Sequence, residues 1–557
     1  MKATVTKFNA VPFVIATAVF LILWIIFFHG MMYDDSYIAF RYSKNWAAGH
    51  GPVWNIGENP VEGFTSFAWV AIGALIKLIG LPLHDAMRWA GVLAWFAATA
   101  LLIPSLAAKI DFHPNKPGVR PSAAAMILVF LTLAGNAAIG FQAFHGLETS
   151  LFSLAILLFI FQALRSRSLK DHLILGGLAL FVFMVRPDGA AIIVPVWLVL
   201  ILLSPIIRKN VLAGVAAGVL LIGLYTAAKW AYFGYPFPNT FYIKESTQEL
   251  AGQSYVIEYL SFISPLLAFM IYSAGRIRLV RMLKDKTFMI LILPAMTFSL
   301  AYIGIDPILG NIHRFLIPTL PLFVLAALRV HVAAKTAHAE TTDTASITEG
   351  YVLFSVALIL VNVLFNIKVV RNYAFLQNYL GVSDATRQQR GLQLQAANQL
   401  DPAPLLATGD VGALPYFSGL PTMDIIGLSD EVIAHEGLSH EYALSRNPDL
   451  LILQDFYYTG SDHILACGPQ GYENPTLQVK GKEVSLNLTR YTKVLETPAI
   501  AHNGKGSTYQ IVTMPGFAET YVHITFWDFG GDQYHLFVRR DYPQFDALVQ
   551  ILTAGGE

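Results

Sequence analysis

"FAWVAIGALIKLIGL", Phe67 to Leu81, is the stretch on which the architecture turns. It is apolar, yet it is only about 15 residues long, carries Lys77 and is closed by Gly80 and Pro82, whereas crossing roughly 30 Å of hydrocarbon takes about 20 residues. Counting it as a span would invert everything downstream. The basic residues decide, because Lys and Arg collect in cytoplasmic loops. If 67-81 lies along the interface as an amphipathic helix, then Lys109/Lys116/Arg120, Arg165/Arg167/Lys170, Arg208/Lys209, Arg276/Arg278/Arg281/Lys284/Lys286 and Arg329/Lys335 all share a side with Lys2 and Lys7. If it spans, all but the first pair move outside. The sequence therefore predicts a non-spanning helix here, eleven spans, an inside amino terminus and an outside carboxy terminus.

The first span is Val11 to Phe28, too long and unbroken for a signal peptide and without a small-residue cleavage site. The others lie near 86-108, 121-141, 149-164, 172-187, 189-206, 211-230, 254-275, 287-304, 314-329 and 350-369. Composition agrees: 557 residues that are 55% hydrophobic and 13% charged, with a mean hydropathy of +0.53, describe a polytopic membrane protein. Zero formal net charge gives no global basic field, so nucleic acid is not an expected partner. A single cysteine, Cys467, excludes an internal disulfide and a thiolate metal cluster. Beyond residue 370 the pattern becomes mixed polar and apolar. The expected organisation is a transmembrane domain over 1-369, with a first outer loop at 30-85, and a soluble α/β domain over 370-557. In the latter "PLLATGD", "DLLILQD", "YQIVTM" and "YVHITFW" read as strands and "VGALPYFSG" as a helix or turn.

With orientation fixed, the outer loops are "MMYDDSYIAFRYSKNWAAGHGPVWNIGENPVEGFTSF", "QAFHGLETS", "VRPDG", "YFGYPFPNTFYIK" and "DPILGNIHRF". They set acids, His, Arg, Gly, Pro and aromatics against the bilayer, the composition of a site rather than of an anchor. Two adjacent carboxylates, Asp34 and Asp35, with Arg41, Arg186, Lys244, His313 and Arg314 on the same face, suit a lipid-linked phosphosugar. Displacement at an anomeric carbon wants a base for the acceptor hydroxyl and cations for the departing phosphate. Trp46, Trp54, Tyr235 and Phe237 are placed to stack on sugar or lipid, and His145, Glu148, Glu62, Asn239 and Tyr242 complete the candidate substrate-binding set.

Each of these residues also has a purely structural use. Asp34 and Asp35 can terminate and hydrate the first span; Arg186 and Arg314 sit at span ends where snorkelling is common; His145 and His313 can be satisfied interfacial histidines. Glu148 can bond backbone near its span, Asn239 can shape the turn after Pro238, Glu62 can be loop, and Asp188 is placed to cap the next span. No metal site is evident, although the paired acids are able to take a divalent ion. A flippase or transporter is the non-enzymatic alternative, but transporters keep ionisable groups near the midplane and often show internal repeats.

"DDSYIAFRYSKNWAAGHGPVWNIGENPVEGFTSFAW" resembles the first outer loop of the mycobacterial terminal β-1,2-arabinofuranosyltransferase family. "HGLET", "RPDG", "PNTFYIK", "HRFLIP" and "GDVGALPYFSG" recur in similar order in its bacterial relatives, which include the Pseudomonas pilin arabinosyltransferase, over about residues 31 to 430. The resemblance implies a GT-C fold with short juxtamembrane helices after the first span and a polyprenyl-phosphate-sugar donor. It also implies an inverting mechanism without a required cofactor and a catalytic aspartate in the first outer loop. By position, Asp34 or Asp35 would be the base, and Arg186, Lys244, His313 and Arg314, with Arg41 in a lesser role, would hold the phosphate. The implied transfer of D-arabinofuranose to a glycan or a protein such as pilin would occur on the periplasmic face of a bacterial inner membrane; mannose or another hexose would leave the mechanism unchanged.

Overall fold

A computed structural model of the chain describes residues 11–105, 122–243, 252–277, 279–305, 310–339, 344–375, 383–455, 476–479, 482–485, 511, 514–529 and 533–554. Helices occupy all eleven places where spans are expected. Among the described residues, seven are long and apolar enough to cross a membrane unaided: Val11–Phe28, Leu83–Ser105, Pro205–Phe233, Gln253–Gly275, Lys286–Gly304, Ile317–Ala334 and Glu349–Asn372. An eighth is a pair, Ala123–Ala134 and Ala137–Phe144, bent by 47°. Thr149–Arg165 and Leu169–Val185 have 17 residues each, and Pro187–Leu203 is likewise short. These three sit at the lower limit of a crossing, so the eleven expected spans resolve, among the described residues, into seven full-length apolar helices, one bent pair and three short helices.

The bend is chemically accounted for. Asn136 accepts from the backbone N–H groups of Ala138 and Ile139. Asn366, from another span, accepts from Ala137 N at 2.7 Å and donates to Gly135 O at 3.3 Å. Freed backbone groups in an apolar medium need such partners. Ile317–Ala334 is the hub, with 89% of its length buried.

Phe67–Leu78 is a 12-residue helix, about 18 Å long at 1.5 Å per residue, and cannot cross. Ser66 caps it by accepting from Trp69 N, and it lies against the Asp34–Ala47 helix, as a short juxtamembrane element.

Among the described residues after the last span are seven strands: β1 (Leu406–Thr408), β2 (Thr422–Asp424), β3 (Leu450–Asp455), β4 (Thr476–Val479), β5 (Lys482–Ser485), β6 (Tyr521–Asp528) and β7 (Gln533–Arg539). Five form one sheet in the order β2-β1-β3-β7-β6, parallel among β1, β2 and β3 and antiparallel through β7 and β6; β4 and β5 pair separately. "YQIVTM" does not supply a described strand: only its Ile511 and Met514 are described, and neither is extended. The helix Ala413–Ser418 leaves the end of β1 and enters the helical body, where Ala413, Tyr416 and Phe417 join the bundle's apolar core. A separate apolar cluster of Ile38, Tyr42, Trp54, Phe64, Val70, Phe233 and Val411 binds first loop, bundle and sheet at a common joint.

Candidate active site

Asp34 and Asp35 open the Asp34–Ala47 helix, where acids complement the helix dipole. The preceding turn is held by the "HGLE" segment: Tyr33 N donates to His145 O at 3.2 Å, and Trp69 Nε1 donates to Gly146 O at 2.8 Å. Gly146 has φ +80°, and a Cβ there would press on Met32, Phe40 and Ser36, so only glycine fits.

The two acids face different partners. Asp34 accepts from Ala413 N at 2.8 Å. Asp35, whose side chain is 34% exposed, lies 3.9 Å from Arg314 Nη1. Arg314 Nη2 is 3.8 Å from Glu148 Oε1, the oxygen that accepts from Arg186 Nη1 at 2.9 Å. Arg186 also forks onto Asp188 at 3.0 and 2.7 Å and donates to Tyr302 at 2.8 Å, while the Tyr302 hydroxyl donates to Asp188. The guanidiniums of Arg186 and Arg314 both stand 5.1 Å from the Phe315 ring.

Arg314 is only 8% exposed, yet among the described residues its Nε has no hydrogen-bond partner, and both carboxylates lie beyond hydrogen-bond length. A buried guanidinium held between two carboxylates at these distances keeps its Nε–H available for a further acceptor. The turn that delivers it is strained, since Ile312 and His313 have φ of +52° and +55°. A β-branched residue adopts that region at a cost of order 1–3 kcal/mol, a pattern concentrated at functional sites.

Several candidates lie elsewhere. Arg41 donates to the carbonyls of Trp54, Pro415 and Leu420 and to Asn55 Oδ1 at 2.7–2.9 Å, so its donors tie the first loop to residues 415–420 and are not offered to a phosphate. Trp54 donates its indole N–H to Thr422 O, Glu62 pairs with Lys229 at 2.6 Å, Asn239 donates to Gly427 O and Asp430 O, and Tyr242 packs 4.2 Å from the His435 ring. All four build the joint rather than line the acid–arginine cluster. His313 turns away from Asp35 toward Lys368, at 3.2 Å, and Glu258. His145 is fully buried between Tyr33 and Phe141, with neither ring nitrogen hydrogen-bonded among the described residues. Asp188 is an arginine partner instead of a cap. Lys244 and Cys467 lie outside the described residues.

Burial dominates the titration of these groups. It pushes Glu62 up to about 7, with Lys229 opposing, and Asp424 up to about 7 against three backbone donors. It drives His313 down to about 3, assisted by Lys368, so that imidazole is neutral. Among the described residues no group of three or more His, Cys, Asp or Glu is arranged to hold a metal. An ion bridging Asp34 and Asp35 would have to displace Ala413 N–H and Arg314.

Tyr302, Lys229, Lys368 and Arg387 are polar partners that sequence reasoning missed. The first three sit inside apolar helices and Arg387 in an unremarkable polar stretch, "SDATRQQR", so nothing local marks them.

The apo structure of ArnT from Cupriavidus metallidurans is similar to this chain at 14% identity and a TM-score of 0.50, covering 80% of this chain and 92% of that one. ArnT from the same organism bound to undecaprenyl phosphate matches at 14% identity and 0.48, over 74% and 86%. The Archaeoglobus fulgidus oligosaccharyltransferase matches at 11% and 0.43, over 79% and 67%. The apo ArnT likeness shows the fold, which is GT-C. Residues 378–534 match a family described as a domain of unknown function, DUF8728. No curated protein matches the sequence.

Proposed function

We propose that the protein is an inverting membrane glycosyltransferase that transfers a sugar, D-arabinofuranose, from a polyprenyl-phosphate donor to a glycan or protein acceptor on the periplasmic face of a bacterial inner membrane. One observation carries the reading: a buried Arg314 guanidinium with an unused donor stands 3.9 Å from the half-exposed Asp35 at the mouth of a GT-C bundle. Asp35 takes the proton from the acceptor hydroxyl as that oxygen attacks the anomeric carbon. Arg314 receives the negative charge that collects on the departing lipid phosphate. Arg186, saturated by Glu148, Asp188 and Tyr302, keeps Glu148 in place and adds positive potential without needing to move. The choice of sugar rests on the first-loop motif and its resemblance to arabinofuranosyltransferases.

The test is a panel of polyprenyl-phosphate sugars given to the purified protein with solubilised cell envelope as acceptor source, with release of polyprenyl phosphate as the readout. Release from the arabinofuranose donor, lost in Asp35→Asn, is expected. Release from a hexose donor alone would overturn the sugar, and release from none would overturn the enzyme.

A further inference from the structure

We propose that Arg387 and Asp410 are positioning residues that act on the acid pair through Asp34, so that the segment following the last span completes the active site. This rests on the glycosyltransferase reading, in which Asp35 is the base.

Asp34 begins a helix but does not cap it; that helix has no side-chain cap. Its carboxylate is instead seated on the chain that follows β1. Ala413 N donates to it, and a Cβ on Gly412 would run into both its carboxylate and its backbone carbonyl. This close approach requires glycine at 412. Two residues earlier Asp410 accepts from Arg387 Nε at 2.5 Å. Arg387 Nη2 donates to Tyr534 on β7 at 3.2 Å, and the guanidinium stands 5.5 Å from the Phe529 ring. Both members of the pair are under 9% exposed. Burial works against the charge of Arg387, but Asp410, Tyr534 and then Asp34 hold its pKa well above the ordinary value.

The seat is rigid. The Ser383–Leu394 helix, which carries Arg387, packs on Ala413–Ser418, with Gly391 closed against Phe417. Tyr416 and Phe417 lie 5.4 and 5.2 Å from the Tyr37 ring, one turn along from Asp34. Successive helical residues are about 100° apart around the axis, so holding Asp34 on Ala413 fixes the rotation that turns Asp35 to Arg314.

The experiment uses full-length protein in nanodiscs, polyprenyl-phosphoryl arabinofuranose for turnover with cell-envelope extract as acceptor, and polyprenyl phosphate as the binding probe. Arg387→Met and Gly412→Ala are expected to lower kcat by roughly 10²-fold, the scale of a 1 Å misplacement, while affinity for polyprenyl phosphate is unchanged. Arg387→Lys, which keeps the charge, is expected to recover most of the turnover. Parental kcat in Arg387→Met overturns the proposal. So does a loss shared equally by turnover, lipid affinity and thermal midpoint that Arg387→Lys fails to relieve, which marks a purely structural pair. The two readings separate cleanly. An active Asp35→Asn, or no lipid phosphate released by the unaltered protein, sinks the glycosyltransferase reading and this proposal with it; an inactive Asp35→Asn beside an unimpaired Arg387→Met sinks only the positioning role.

Discussion

Replacing Arg314 with methionine removes the cation that faces both Asp35 and Glu148, while keeping a long apolar side chain between Tyr33 and Phe315. Two unit charges about 4 Å apart attract by roughly 4 kcal/mol at an effective dielectric near 20, and a lipid phosphodiester bound at Arg314 would feel a term of that size. Part of it is already spent on the carboxylates at 3.9 and 3.8 Å, and Asp35 is open enough for water to screen its share. Halving the gross figure leaves about 2 kcal/mol, or roughly 30-fold in Kd for polyprenyl phosphate. Arg314→Lys should fall between, since it keeps the charge but not the planar fork. Folding should be little disturbed, because Arg314 Nε has no hydrogen-bond partner to lose among the described residues. Equilibrium binding of polyprenyl phosphate to protein in detergent micelles reads the effect. An affinity within about twofold of the parent, under 0.5 kcal/mol, would refute the assignment of the phosphate to Arg314.

Asp35→Asn should cost about 10²–10⁴ in kcat, the usual worth of a general base, while Asp34→Asn, whose amide oxygen can still accept from Ala413 N, should lose less; equal losses would contradict the division of roles. Arg41→Ala should lower the thermal midpoint without changing lipid affinity, since it breaks four bonds of the joint, each worth about 1.5–3 kcal/mol when charged and not fully additive; weakened lipid binding at intact stability would return Arg41 to the phosphate site. Burial raises Glu62 from 4.5 to about 7, so the folded state holds a proton that the unfolded chain has already lost between those values. Stability from this group is therefore full below pH 4.5 and declines as pH rises through 7, by at most a few kcal/mol at about 1.4 kcal/mol per unit. Glu62→Gln should flatten thermal midpoints measured from pH 5 to 8, and an unchanged slope would count against it.

The helical body was legible because its signals are local. Apolar runs mark the eleven places where spans are expected, each of which holds a helix, and the distribution of Lys and Arg kept "FAWVAIGALIKL" out of the count of spans. Where spans fell short, as at Thr149–Arg165, the sequence could not tell a buried short helix from a crossing, because neighbours supply what length does not. At the site, adjacency singled out Asp34 and Asp35 but not that they meet different partners, which depends on Ala413 N–H, 379 residues away. Arg41, Trp54, Glu62 and Asn239 have the right residue types near the right loop, yet Arg41, Trp54 and Asn239 donate to backbone carbonyls or Asn55 and Glu62 is ion-paired to Lys229. Only the fold shows which polar groups are already satisfied. The sheet, too, closes through distant pairings: β3, β6 and β7 all lie beyond residue 440 and make three of its five strands, an order that no local run of residues announces.

The most direct measurement is a cryo-EM structure of the protein with polyprenyl-phosphoryl arabinofuranose bound. The phosphate is expected within hydrogen-bond reach of Arg314 and the anomeric carbon turned to Asp35, with Asp34 still on Ala413. A phosphate held at the His313–Lys368–Glu258 cluster, or a sugar remote from Asp35, would contradict it.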